Sequence, residues 1–78
     1  MTDYTPIDCA LYSEYELAIL QGRRLRISWT DAHGQTCVDV FTPQDLVTRD
    51  HAEFLTGRRA DGQTLELRLD RIIRSEPF

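Results

Sequence analysis

At Gly22 the hydrophobic period of this chain changes from helical to two, and everything after that residue reads as sheet. Leu25, Ile27 and Trp29 alternate with Arg24, Arg26 and Ser28, the pattern of a strand with one buried and one wet face. Asp31-Ala32-His33-Gly34 then offers a turn in which Gly34 can take positive φ. Thr36, Val38 and Val40 alternate with Cys37, Asp39 and Phe41, which completes a hairpin with the valines expected inward. Thr42-Pro43-Gln44-Asp45 suits a single helical turn, with Thr42 as cap and Pro43 at the first helical position. In a second hairpin, His51 to Arg59 and Gln63 to Leu69 flank Ala60-Asp61-Gly62. Ile72 and Ile73 fall in a last short strand that Pro77 stops.

Before Gly22 the pattern predicts one helix over about residues 8–21. Asp8 can cap it, Pro6 precedes it, and Gly22 can end it in a left-handed conformation. Leu11, Tyr15 and Ala18 form its inward stripe, flanked by Tyr12 and Ile19, while Leu17 and Leu20 fall on the far side and need another surface. The strands then occupy about residues 23–74. Five strands are too many for a short flat sheet to protect on both faces. The expected fold is therefore mainly β, a small α+β domain: an Sm-like, strongly curved five-stranded barrel with an N-terminal helix. Its core would be Leu25, Ile27, Trp29, Val38, Val40, Phe54, Leu65, Leu67 and Leu69. A chain of 78 residues is expected to be one domain, 1–78, because cores divide only in much longer chains.

The formal charge of −4 resides wholly in the first twenty residues, where Asp3, Asp8, Glu14 and Glu16 have no basic neighbour. Beyond them nine acids face nine arginines, so the asymmetry points to a basic partner. No apolar run approaches the roughly 20 residues that cross a bilayer, and no secretion signal opens the chain, so a cytoplasmic protein without membrane contact is expected. Cys9 and Cys37 then read as free, structural thiols. His33 and His51 have no metal-ligand spacing, and the four glycines form neither a phosphate loop nor a dinucleotide fingerprint. Glu14 and Glu16 project about 200° apart on a helix and cannot flank one bond. No catalytic residue, cofactor or metal is expected. Arg23, Arg24, Arg26, Arg58 and Arg59 leave open an alternative, an Sm-like RNA-binding module using the arginine-rich strand ends, which a sequence pI near 4.9 opposes.

Five ordered motifs carry a resemblance. Tyr4-x-Pro6-Ile7-x-Cys9-x-x-Tyr12, Glu16-Leu17-Ala18, Asp45-Leu46-Val47-x-Arg49, Glu53-Phe54-Leu55 and Glu66-Leu67-Arg68-Leu69-Asp70-x-Ile72 together resemble the Rof (YaeO) family of Rho-binding antiterminators. The resemblance implies a bacterial regulator of transcription that inhibits Rho-dependent termination. It would bind the primary RNA-binding site of Rho, mimic RNA there and block RNA loading. It implies a monomer with no direct nucleic-acid contact, and a partner-binding surface of Tyr12, Glu16 and Arg49, with Glu14, Asp50 and His51 beside them.

Overall fold

In the computed structural model, which describes residues 4–78, the chain opens with α1 (Cys9–Gln21). Asp3 lies outside the described residues. The Asp8 side chain accepts from the Ala10 N–H at 3.0 Å, and Gly22, at φ 63°, returns its own N–H to Ala18 and Ile19. Both ends of the helix are therefore satisfied by the residues the sequence singles out. Tyr15 and Ala18 are buried beneath it, with Leu11, Tyr12 and Ile19 packed alongside.

Five strands follow: β1 (Leu25–Thr30), β2 (Thr36–Arg49), β3 (Ala52–Arg59), β4 (Thr64–Arg68) and, after the 3-10 turn Leu69–Arg71, β5 (Ile72–Pro77). They form one antiparallel sheet in the order β4-β3-β2-β1-β5. No ladder joins β4 to β5 among the described residues, so the sheet is not closed into a barrel. Pro77 belongs to β5, an edge strand, where its missing N–H costs no ladder bond.

The 14-residue β2 is the spine of the sheet. Its first half pairs with β1 and its second half with β3, and the register slips between Pro43 and Asp45. Gln44 is the extra residue of a bulge that bends the strand. This corrects the helical turn expected at Thr42–Asp45: the Pro43 signal is that of a strand irregularity. Opposite the bend sits Gly57, where a β-carbon would lie 2.2 Å from the Thr42 carbonyl oxygen and 2.7 Å from the Phe41 ring.

The inward face of β2 is the reverse of the expected one. Cys37, Asp39 and Phe41 stand opposite Trp29, Ile27 and Leu25, and opposed residues share a face. Phe41 is fully buried whereas Val38 is 62% exposed. Asp39, on this inward side, accepts from Arg59 Nε at 2.8 Å, and that guanidinium holds its carboxyl below the usual range. In β3, Leu55 pairs with Leu67 and is buried, while Phe54 and Leu65 are only partly covered. The turn between β2 and β3 was not expected as a hairpin: Asp50 and His51 take φ of 53° and 61°, the left-handed conformations a two-residue hairpin loop demands. No helix among the described residues is long and apolar enough to cross a membrane.

Candidate functional site

Where the sheet is left open, the end of β1 and its turn face the edge formed by β3, β4 and the 3-10 turn across a cleft of about 320 Å³. Trp29, Asp31, Phe54, Glu66, Arg68 and Arg71 are among its lining residues. Trp29 comes inward by strand alternation, Phe54, one residue from the buried Leu55, is turned to the other face of β3 beside Arg68, and Arg71 closes the turn that follows β4.

The charges of this cleft are nearly all committed. Asp31 Oδ1 accepts the N–H groups of His33 at 2.8 Å and Gln35 at 2.9 Å, and these bonds hold its carboxyl below the usual range. Glu66 is gripped at both oxygens by Arg49, whose Nη1 donates at 2.8 Å. The same guanidinium lies over the Phe54 ring, 4.4 Å from its centroid. Arg68 donates to both oxygens of Asp70 at 2.7 Å and lies 5.6 Å from the Tyr4 ring centre. Burial works against a charged Asp70, but Arg68 and the Thr5 N–H, at 3.1 Å, outweigh it and depress its pKa. The Arg71 side chain makes no ion pair or hydrogen bond among the described residues, and its charge adds to the field that holds the Asp70 carboxyl down. The cleft thus combines aromatic side chains with one cation whose side chain makes no direct ion pair or hydrogen bond, an arrangement suited to a small anion bearing a flat apolar body.

The six residues expected at a partner surface fall in two places. Tyr12, Glu14 and Glu16 lie on α1, the two glutamates exposed and Tyr12 half-buried. Burial and the Glu53 carboxylate raise the Tyr12 phenol, and Tyr4 donates to the same Glu53 at 3.2 Å; burial and Glu53 push Tyr4 up to about 12. Arg49, Asp50 and His51 lie at the β2–β3 turn, with Arg49 against Phe54 and Glu66. Glu53 and Phe54 are neighbours on β3 and point to opposite sides of it, so Tyr12 and Arg49 reach different faces of the strand. Trp29, Phe54 and Arg71 were not singled out as site residues. The cleft draws on residues 29–32, 54, 65–68 and 71, and no local spacing announces it. Among the described residues no group of three His, Cys, Asp or Glu side chains is placed to hold a metal, and Cys9 and Cys37 are free.

Comparison with known proteins redirects the reading. Residues 10–77 match the WYL domain. The fold is similar to that of the proteasome accessory factor B/C (PafBC) of Arthrobacter aurescens, with a TM-score of 0.80 and 19% sequence identity over 97% of this chain and 12% of that one. At that identity the likeness is one of fold, and the chain spans only that 12% of the other protein's length. No curated protein matches in sequence. The Rof resemblance is therefore corrected, together with Rho as partner, inhibition of termination, RNA mimicry and the Sm-like RNA-binding alternative. Its short motifs fall largely on strand alternation and on the buried Leu55, Leu67 and Leu69, features that a small curved sheet requires whatever it binds. The monomer expectation rested on the same resemblance and falls with it. With the whole sheet, the cleft and nearly all of the helix inside the matched span, this chain belongs to the WYL domain family.

Proposed function

We propose that this chain is a regulatory, ligand-sensing module whose effector, a small aromatic anion, occupies the cleft between Trp29 and Arg71. The observation that carries the reading is Arg71, whose side chain makes no ion pair or hydrogen bond, lining with Trp29 and Phe54 a cleft whose carboxylates already have partners. Its volume of about 320 Å³ lies at the small end of ligand sites, which run from roughly 300 to 1,000 Å³. Membership of the WYL family and the fold of PafBC support a regulatory role. A DNA-binding role is disfavoured by the net charge of −4, since affinity for nucleic acid comes chiefly from neutralising phosphates. In this reading the module binds and does not catalyse, residues 4–78 act as one folding unit, and the protein works in the cytoplasm, where Cys9 and Cys37 stay reduced.

A rolled, barrel-like sheet belongs to the same proposal. Its support is the three-residue link between β4 and β5, the two edges of the sheet. Four strand spacings of about 4.8 Å would hold those edges roughly 19 Å apart in a flat sheet, and a 3-10 turn rising about 2 Å per residue cannot span that. The cleft is then the seam of the roll.

Trp29 is the only tryptophan, so its fluorescence reports on the site directly. Titration with phenyl phosphate and benzoate is expected to give a saturable change in the native chain and at least about tenfold weaker binding in Arg71→Ala, the loss of one charge-assisted contact. A response unaltered by Arg71→Ala would remove the cleft from the account.

A further inference from the structure

The segment before α1, residues 4–8, is strapped onto β3 and the 3-10 turn. Tyr4 and Ile7 pack against the core, the Tyr4 hydroxyl donates to Glu53 at 3.2 Å, and the Thr5 N–H donates to Asp70 Oδ2 at 3.1 Å. The anchor on the turn is also the anchor of a cleft residue. Arg68, which lines the Trp29–Arg71 cleft, donates through Nε and Nη2 to the two oxygens of Asp70, and its guanidinium lies against the Tyr4 ring. The Arg68 and Asp70 side chains are 14% and 12% exposed, so their attraction is only weakly screened by water and salt.

In the chain Asp70 stands between Arg68 and Arg71, both of which line the cleft. Burial opposes its charge, but Arg68, the Thr5 N–H and Arg71 together hold its carboxyl below the usual range. An anion seated in the cleft draws on the same two cations, and to Asp70 it is a like charge. It therefore loosens the hold of Arg68 on Asp70, the group that fixes the Thr5 N–H. Tyr4 is affected with it, because its ring faces the same guanidinium.

We infer that the strap and the cleft are negatively coupled through Asp70: an anion bound between Trp29 and Arg71 releases Tyr4 and Thr5, and a docked strap weakens binding of the anion. The inference rests on the anion-binding reading of the cleft and names the part of the molecule that responds. Without an anion the strap is docked; with one, the population shifts toward a released segment leading into α1. The coupling is reciprocal, so its two halves are measured separately.

Phenyl phosphate is the probe. In the native chain labelled with nitrogen-15, saturating phenyl phosphate is expected to speed amide exchange at Thr5 at least about fivefold, the lower end of allosteric coupling. Amides of β2 and β3 should slow instead, since a ligand of the native state stabilises the core. By Trp29 fluorescence, Asp70→Asn should bind phenyl phosphate at least about fivefold more tightly than the native chain, although it is the less stable protein. Tyr4→Ala, which removes no charge, should shift affinity in the same direction. It carries the same test if far-UV circular dichroism shows Asp70→Asn unfolded. Binding that is lost in Arg71→Ala but no tighter in either strap variant, or an unchanged Thr5 exchange rate at saturation, overturns the coupling and leaves the cleft as the anion site. A native chain that does not bind phenyl phosphate overturns the cleft reading and the coupling with it.

Discussion

Gly57 is the residue on which the path of the sheet most depends. Its φ is ordinary; what it lacks is a β-carbon, which would collide with the Thr42 carbonyl oxygen and the Phe41 ring where β2 bends. Because one of these contacts is backbone, relief requires the strands to separate. Gly57→Ala should destabilise by about 3 kcal/mol, the upper part of the overpacking range, and lower Tm by about 12 °C or more. Thermal unfolding checks this; an unchanged Tm would mean that β2 and β3 do not approach so closely. Asp70 gives a second prediction at this scale. Arg68 and the Thr5 N–H depress its pKa in the folded state, so the stability it contributes is present above the unfolded carboxylate value, about 4, and is lost as pH falls through that value and below. Asp70→Asn should therefore lower the urea midpoint at pH 7 while narrowing the gap between pH 7 and pH 3. An equal drop at both pH values would show that Asp70 acts through packing alone.

At the scale of elements, α1 was legible because its signals are local. Asp8 and Gly22 fix its ends within the sequence itself, and Asp8→Ala should cost about 1 kcal/mol, read as a fall in Tm of about 4–8 °C. The turns at Gly34 and Gly62 were legible for the same reason. The β2–β3 turn was not, because Asp50 and His51 reach left-handed φ without a glycine to mark them. That strain is removable: Asp50→Asn with His51→Gly should stabilise by up to about 1 kcal/mol, since a left-handed non-glycine residue costs roughly 1–2 and glycine's extra chain entropy returns part of it. A lower Tm would mean that Asp50 or His51 makes a contact worth more than its strain. The inward face of β2 was misread because β-branched valines resemble core, whereas the choice of face is made across the strand by Leu25, Ile27 and Trp29. Pro43 misled in a similar way: a first-turn helix residue and a bulge residue look alike until the partner strand is known.

For the molecule as a whole, the number and order of elements followed from periodicity, but the site did not. Its members are scattered over some forty residues, and the property that matters, a cation left without a direct ion pair after Arg49 and Arg68 have taken their carboxylates, exists only once the fold has matched partners. The acidic amino end, which dominates the sequence, places Glu14 and Glu16 on exposed helix surface, away from the Trp29–Arg71 cleft. Regulation by an effector in the open seam of the sheet is the central claim. It is tested most directly by following Trp29 fluorescence during a phenyl phosphate titration of the native chain, Arg71→Ala and Arg23→Ala. The account predicts saturable binding in the native chain, binding weakened at least about tenfold in Arg71→Ala, and Arg23→Ala indistinguishable from the native chain. Equal responses in all three proteins, or none in any, would contradict it.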